Sequence, residues 1–230
     1  MIRLNTIPHP PKDIRREAAR RILLLDGGLG TMIQRFGLGE REYRGARFAD
    51  WRQPLRGCND LLCLTCPEVI RAIHESYLRA GSDIITTDTF NANALSLAEY
   101  GLQDFVYEIN RAGAALARAT ADEFTARNPS KPRFVGGSMG PTGHTLSIST
   151  DVDDPAGRTA SFTELAAAYR TQAEGLLDGG ADLLMLETCF DTLNAKAAIH
   201  AIEGLFAERG IRVPLIVSGT LTPSGRTLSG

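Results

Sequence analysis

Several features are missing from this chain, and each absence removes a class of function. No apolar run approaches the ~20 residues that a membrane-spanning helix requires, so no membrane role is expected. The opening residues carry Pro8, Pro10 and Pro11 but no apolar stretch of the kind a secretory signal needs. Asp13 to Arg21 is arginine-rich and helical in pattern, yet Asp13 and Glu17 argue against a transit peptide. Net charge is scarce: 25 basic residues against 27 acidic ones leave −2. The electrostatic footprint of a nucleic-acid binder is therefore lacking. Four cysteines in 230 residues do not make a disulfide framework, which predicts a reducing, cytoplasmic setting. A Gly-x-Gly-x-x-Gly turn is also absent. The first strand runs instead into Asp26-Gly-Gly-Leu-Gly-Thr31, a different spacing that lowers the dinucleotide-fold option.

What is present is an alternation of short apolar runs and amphipathic helices. Strands are predicted at 22–25, 83–88, 133–138, 183–187 and 214–218. The first, Ile22-Leu-Leu-Leu25, reads as a compact buried strand, and Ala181 to Leu186 as one buried on both faces of a parallel sheet. Pro67 opens a helix that Gly81 stops. Asn91 to Tyr100 and Gln103 to Arg127 read as a helix pair. Ser161 and Glu164 are spaced for a capping box, and a last helix runs from Thr192 to Glu208. Between Leu38 and Cys66 the composition turns polar and irregular, as in a long functional or partly mobile loop.

Two of these units align without gaps. Ala80-Gly-Ser-Asp-Ile-Ile-Thr-Thr-Asp-Thr89 matches Gly179-Gly-Ala-Asp-Leu-Leu-Met-Leu-Glu-Thr188, which puts Asp88 in the position of Glu187. A helix, a glycine stop, a buried strand and a terminal carboxylate make one step of a parallel α/β sheet. The expected fold is a (β/α)8 TIM-type barrel, incomplete, with about five of its eight units in this chain. Residues 1–21 then form an N-terminal arm or helix, and 22–230 a barrel domain truncated before strands six to eight.

Asp26, Asp88 and Glu187 all fall at predicted carboxyl ends of strands, where parallel α/β folds place their ligand groups. Three acids at one mouth suit a cationic group, either a ligand ammonium or a metal. The competing expectation, equally weighted for Asp88 and Asp191, is a cap on the next helix. The Gly27 and Gly28 amides ahead of a helix suit an anion. An ammonium site beside an anion site matches the two ends of an amino acid. Cys58, Cys63 and Cys66 are spaced for a metal but lack a second ligand pair, so apolar packing is the favoured reading. Cys189 reads as a small apolar residue and His144 as a loop residue within reach of substrate. His9, His74 and His200 read as surface or helix positions.

Together these stretches resemble the homocysteine-binding domain of cobalamin-dependent methionine synthase. The matching pieces are Leu25-Asp-Gly-Gly-Leu-Gly-Thr-Met32, Arg56-Gly-Cys-Asn-Asp-Leu-Leu62 with Pro67-Glu-Val-Ile70, Thr87-Asp-Thr-Phe-Asn91, Gly140-Pro-Thr142, Ser147-Ile-Ser149 with Asp151-Val-Asp-Asp-Pro155, Glu187 to Ala197, and Ser218 to Gly230. The resemblance implies a barrel that binds homocysteine as a zinc thiolate, to which cobalamin carries a methyl group from methyltetrahydrofolate. It implies folate-, cobalamin- and activation-type domains as partners. Asp26 and Glu187 then hold the amino end of homocysteine, with the Gly27 and Gly28 amides and the Ser138 loop placing the rest. Asp88 departs from the family, which more often has asparagine there.

The family's zinc cysteines lie in a Gly-x-Asn-Cys turn and a Gly-Gly-Cys-Cys pair, and neither motif occurs in these residues. They are expected beyond Gly230, so this stretch alone is expected to bind neither zinc nor cobalamin and to be inactive. Relatives that use betaine or S-methylmethionine share the barrel and form one alternative. A non-catalytic half-barrel that pairs with another chain is a second, and a metal enzyme built on Asp26, Asp88 and Glu187 a third.

Overall fold

The computed structural model describes residues 13–149 and 151–227. Residues 1–12 of the predicted arm, and Leu228 to Gly230 of the last matching stretch, lie outside the described residues. Of the arm's remainder, Ile14–Ala18 is a helix whose first turn Asp13 caps.

Four strands, β1 (Ile84–Thr86), β2 (Phe134–Met139), β3 (Leu183–Cys189) and β4 (Leu215–Gly219), form one parallel sheet in the order β1-β2-β3-β4. Strand order equal to chain order, with a helix in each crossover, is how a TIM-type barrel grows. Among the described residues the sheet is open. Side chains alternate as the pleat requires. Ile84, Phe134, Leu183 and Met185 pack on one face, closed below by Leu23 and Ile14. Ile85, Val135, Leu184 and Leu186 pack on the other, against the helices Val106–Arg127, Phe162–Asp178 and Thr192–Arg209. The glycines that weaken β2 have steric reasons. A Cβ on Gly136 would meet the Met185 sulfur at 2.6 Å, and one on Gly140 would meet the Phe90 ring at 2.7 Å. Gly175 and Gly179 likewise let Phe162–Asp178 lie against Val106–Arg127, where a Cβ would come within 2.7 Å and 2.5 Å of that helix's backbone oxygens.

The predicted first strand is the main correction. Leu25 makes a single parallel bridge to Ile84, and Ile22, Leu24 and Leu25 are exposed rather than buried. Two carboxylates take over the ends of the ladder. Leu24 N donates to Asp83 Oδ2 at 2.9 Å, and Thr86 N donates to Asp26 Oδ2 at 2.8 Å. With nothing among the described residues paired on its far side, the segment buries Leu23 in part and leaves Ile22, Leu24 and Leu25 in solvent. At the other edge Ile216, Val217 and Leu221 are exposed as well.

The aligned repeat proves to be structural at its aspartates. Asp83 N donates to Leu24 O while its carboxylate accepts Leu24 N; Asp182 N donates to Val135 O while its carboxylate accepts Val135 N at 2.7 Å. Each aspartate thus clamps its strand to the preceding one.

Residues 38–66 depart from the expected loose loop. They contribute to a second core in which Leu55, Leu61 and Leu62 are fully buried. Phe48, Trp51 and Phe105 stack edge to face there, at centroid distances of 5.3–5.8 Å. Cys58 and Cys66 belong to this core, and Cys63 is buried beside it.

His74, read as a surface or helix position, is a helix position and not a surface one. It is fully buried on the inner side of Pro67–Ala80, and neither ring nitrogen has a hydrogen-bond partner. Burial drags its pKa from the usual 6.5 down to about 4. The unfolded chain therefore takes up a proton that the folded chain refuses. This stability is complete above pH ~6.5 and is lost as the pH falls toward 4, by about 3 kcal/mol. His74→Leu is expected to flatten that decline and to match or exceed the wild type at pH 7. Urea midpoints at pH 4.5 and 7 measure it, and a parallel decline in both proteins would refute the assignment.

Candidate functional site

The candidate site lies where the strands end. Asp26 reaches it because its amide is tied to Ile84 O at 3.0 Å while its carboxylate folds back on β1. Oδ2 accepts Thr86 N at 2.8 Å and Oδ1 accepts the Thr86 hydroxyl at 3.1 Å. The chain then turns through Gly27 and Gly28 into the helix Leu29–Gln34, whose N-terminus has no side-chain cap. Gly27 must be small because a Cβ there would sit 3.1 Å from the Tyr77 hydroxyl, which donates to Gly28 O. Glu187 comes from β3, one residue before Thr188, whose backbone is left-handed at φ 58°. That conformation is costly for a β-branched residue, and it coincides with a register shift between Leu186 and Cys189. Ser138 is buried at the end of β2, where its hydroxyl acts to lower the pKa of Glu187, and it donates its amide to Thr87 Oγ1 at 2.9 Å.

These groups face one cavity of about 360 Å³. Asp26, Gly27, Gly28, Ser138, Asp88 and Glu187, all singled out in the sequence, line it together. Among the described residues no lysine, arginine or histidine does. The consequence is visible in the acids. Asp26 is pushed up to about 7, chiefly by burial and further by the charge of Glu187, against the opposing bonds from Thr86. Burial raises Glu187 too, opposed by Ser138. A carboxylate without a cationic partner holds its proton; a bound cation would take the proton's place.

One acid of the wall was not singled out as a site residue. Asp60 is 4% exposed, lines the cavity, and accepts Asn91 N at 2.8 Å. Burial lifts it to about 6 and, together with the nearby Asp60 charge, lifts the buried Asp88 well above the carboxylate range. The available signal was an aspartate directly ahead of Leu61-Leu62, an acid placed where the chain enters a core.

Other candidates fall away. Asp191 is a helix cap: it accepts Leu193 N at 2.8 Å and also holds Leu146 N and Ser147 N. His144 is off the cavity wall, its Nδ1 2.8 Å from Thr159 Oγ1. Cys63 donates to Asp88 O and Cys66 to Glu42 O, while burial pushes Cys58 up to about 12. Thiols buried and protonated in this way do not fit zinc, which binds thiolate. Cys189 is half-buried against the helix-side core. Among the described residues no three His, Cys, Asp or Glu side chains form a metal-binding group, so Asp26, Asp88 and Glu187 are not arranged as a metal triad.

A parallel α/β sheet of TIM-barrel type, with acids and a glycine turn around a cavity at its strand ends, defines a small-molecule site of the barrel class. The sequence model of the homocysteine S-methyltransferase family matches residues 23–230, and the chain belongs to that family. Crystal structures of the homocysteine methyltransferase MmuM from Escherichia coli share the fold. The metallated form superposes with a TM-score of 0.70 at 26% identity, covering 94% of this chain and 69% of that one. The oxidized form gives 0.70 and 26%, covering 94% and 68%. The apo form gives 0.61 and 27%, covering 91% and 63%. Among the described residues no helix is long and apolar enough to cross a membrane.

Proposed function

We propose that this chain is the homocysteine-binding part of a methionine synthase of the cobalamin-dependent type. Asp26 and Glu187 receive the ammonium, and the Gly27-Gly28 turn with Ser138 places the rest of the amino acid. The observation that carries this is the Asp26–Glu187 pair on one cavity wall with no basic side chain among the described residues to balance it. Membership of the family supports homocysteine as the ligand. The Arg56-Gly-Cys-Asn-Asp-Leu-Leu62 run supports the cobalamin branch over relatives that use betaine or S-methylmethionine. In this reading zinc and cobalamin chemistry, with the folate-, cobalamin- and activation-type domains, is supplied by residues other than those described. The part of these residues is to bind and orient.

Calorimetric titration with L-homocysteine and with 4-mercaptobutyrate, which lacks the amino group, tests the reading. Homocysteine is expected to bind and the desamino compound to bind at least tenfold more weakly, since a charge-assisted hydrogen bond is worth about 1.5–3 kcal/mol. Equal affinity for the two would overturn the ammonium assignment. Methyl transfer from methylcobalamin by this chain alone is expected to be absent.

A further inference from the structure

The cavity holds more negative charge than one amino acid can answer. A zwitterion brings an ammonium and a carboxylate, hence no net charge, and its ammonium is matched by Asp26 and Glu187. Asp60 and Asp88 remain on the same wall. They enter from different elements: Asp60 from the short helical turn Asn59–Leu61, Asp88 from the chain just past β1. Asp88 is 6% exposed, and its Oδ2 has no hydrogen-bond partner. An acceptor left unmade in a buried position is costly, so the site retains an unfilled demand for a donor.

Placement separates this pair from the first. Asp26 is bound to Thr86, whereas Asp88 lies two residues further along the chain. The charge on Asp60 is the cause that lifts Asp88 after burial, and Asp26 contributes nothing resolved to it. The charge of Asp60 and burial together favour the protonated form of Asp88 when no cation is present.

We propose that Asp60 and Asp88 form a second subsite of the cavity, which accepts a primary ammonium group at the distal end of a small ligand. The unpartnered oxygen asks for an N–H donor, which excludes a quaternary onium lacking one. The step is an exchange: the proton held by the Asp88 carboxyl leaves to solvent, and the ammonium donates to the freed Asp88 Oδ2. In its amino-acid form the inference rests on the cavity being an amino-acid site.

Two probes test it. L-2,4-diaminobutyrate has an ammonium where homocysteine has its thiol, and L-2-aminobutyrate ends in a methyl group. By calorimetry at pH 7.5 the diamino acid is expected to bind about tenfold more tightly, and Asp88→Asn to erase that preference. Asp60→Asn, which keeps an oxygen for the Asn91 amide, is expected to act in the same way. Equal affinity of the two amino acids in the wild type, or a preference that survives Asp88→Asn, overturns the proposal. Propylammonium, which has no amino-acid end, separates this from the proposed function. Binding lost in Asp88→Asn but kept in Asp26→Asn supports the subsite. Loss only in Asp26→Asn, or no binding of propylammonium to the wild type, counts against it. A wild type that takes propylammonium but neither amino acid leaves the subsite standing and removes the homocysteine reading.

Discussion

Asp26→Asn is expected to weaken homocysteine binding by about a hundredfold at pH 8, because truncating one partner of a buried charged hydrogen bond costs about 2–5 kcal/mol. The same residue should set the pH dependence. With its carboxyl pushed up to about 7, the free protein carries a proton there below neutrality, and the ligand ammonium must displace it. Affinity should therefore fall close to tenfold per pH unit below ~7 and level off above it. Titrations in buffers of different ionisation enthalpy should show proton release near pH 6 in the wild type and much less in the variant. A wild-type affinity flat from pH 5.5 to 8 would remove Asp26 from the ammonium site.

Stability should move the other way. A carboxyl whose folded pKa lies above its unfolded value of 3.8 favours the native state most at low pH, and that contribution is lost as the pH rises through about 7. Asparagine cannot ionise and escapes the loss. The variant is expected to melt above the wild type at pH 8 and to lose this advantage near pH 4. A binding residue held at a cost to the fold is common at functional sites.

Asp182→Ala should produce the largest loss of stability. Its carboxylate accepts Arg118 Nη1 at 2.5 Å and Val135 N at 2.7 Å, and the two side chains are 9% and 11% exposed. Removing it takes the closer of Arg118's two carboxylate partners, Asp122 remaining at 2.8 Å, and leaves a strand amide without its acceptor, at a cost of about 3 kcal/mol. For a domain of this size that is roughly 10 °C in Tm. Glu203→Ala provides the contrast, since the Arg212–Glu203 pair is 62% and 41% exposed and should change stability by under about 0.5 kcal/mol. Similar melting shifts for the two variants would show that the clamp described at Asp182 is not what holds β2 to β3.

The aligned repeat shows how far residue pattern reaches. It set Asp88 and Glu187 at equivalent positions, and both line the cavity, because each lies at the carboxyl end of a buried strand of one sheet. It was silent on the aspartates five residues earlier in each unit, which proved to be strand clamps. A carboxylate at a strand's start looks the same in sequence whether it meets water or a neighbouring amide. Asp191 and His144 illustrate the same limit: cap and ligand share a residue type, and only the partners tell them apart.

The first strand failed for a different reason. Ile22 to Leu25 has the composition of a buried strand, but burial is a property of what lies opposite, and nothing among the described residues covers that edge. Residues 38–66 failed in the reverse sense, since polar composition concealed the few large side chains, Phe48, Trp51, Leu55 and Leu61, that build a core.

Local pattern by itself determined the helices, the parallel order of β1 to β4, and the presence of Asp26, Ser138, Asp88 and Glu187 at strand ends, because periodicity and capping act over a few residues. Tertiary structure alone decided that Asp60, 28 positions before Asp88, shares its wall and raises its pKa, and that among the described residues no basic side chain accompanies them. Charge coupling depends on distance through space and on exclusion of water, and neither is written along the chain.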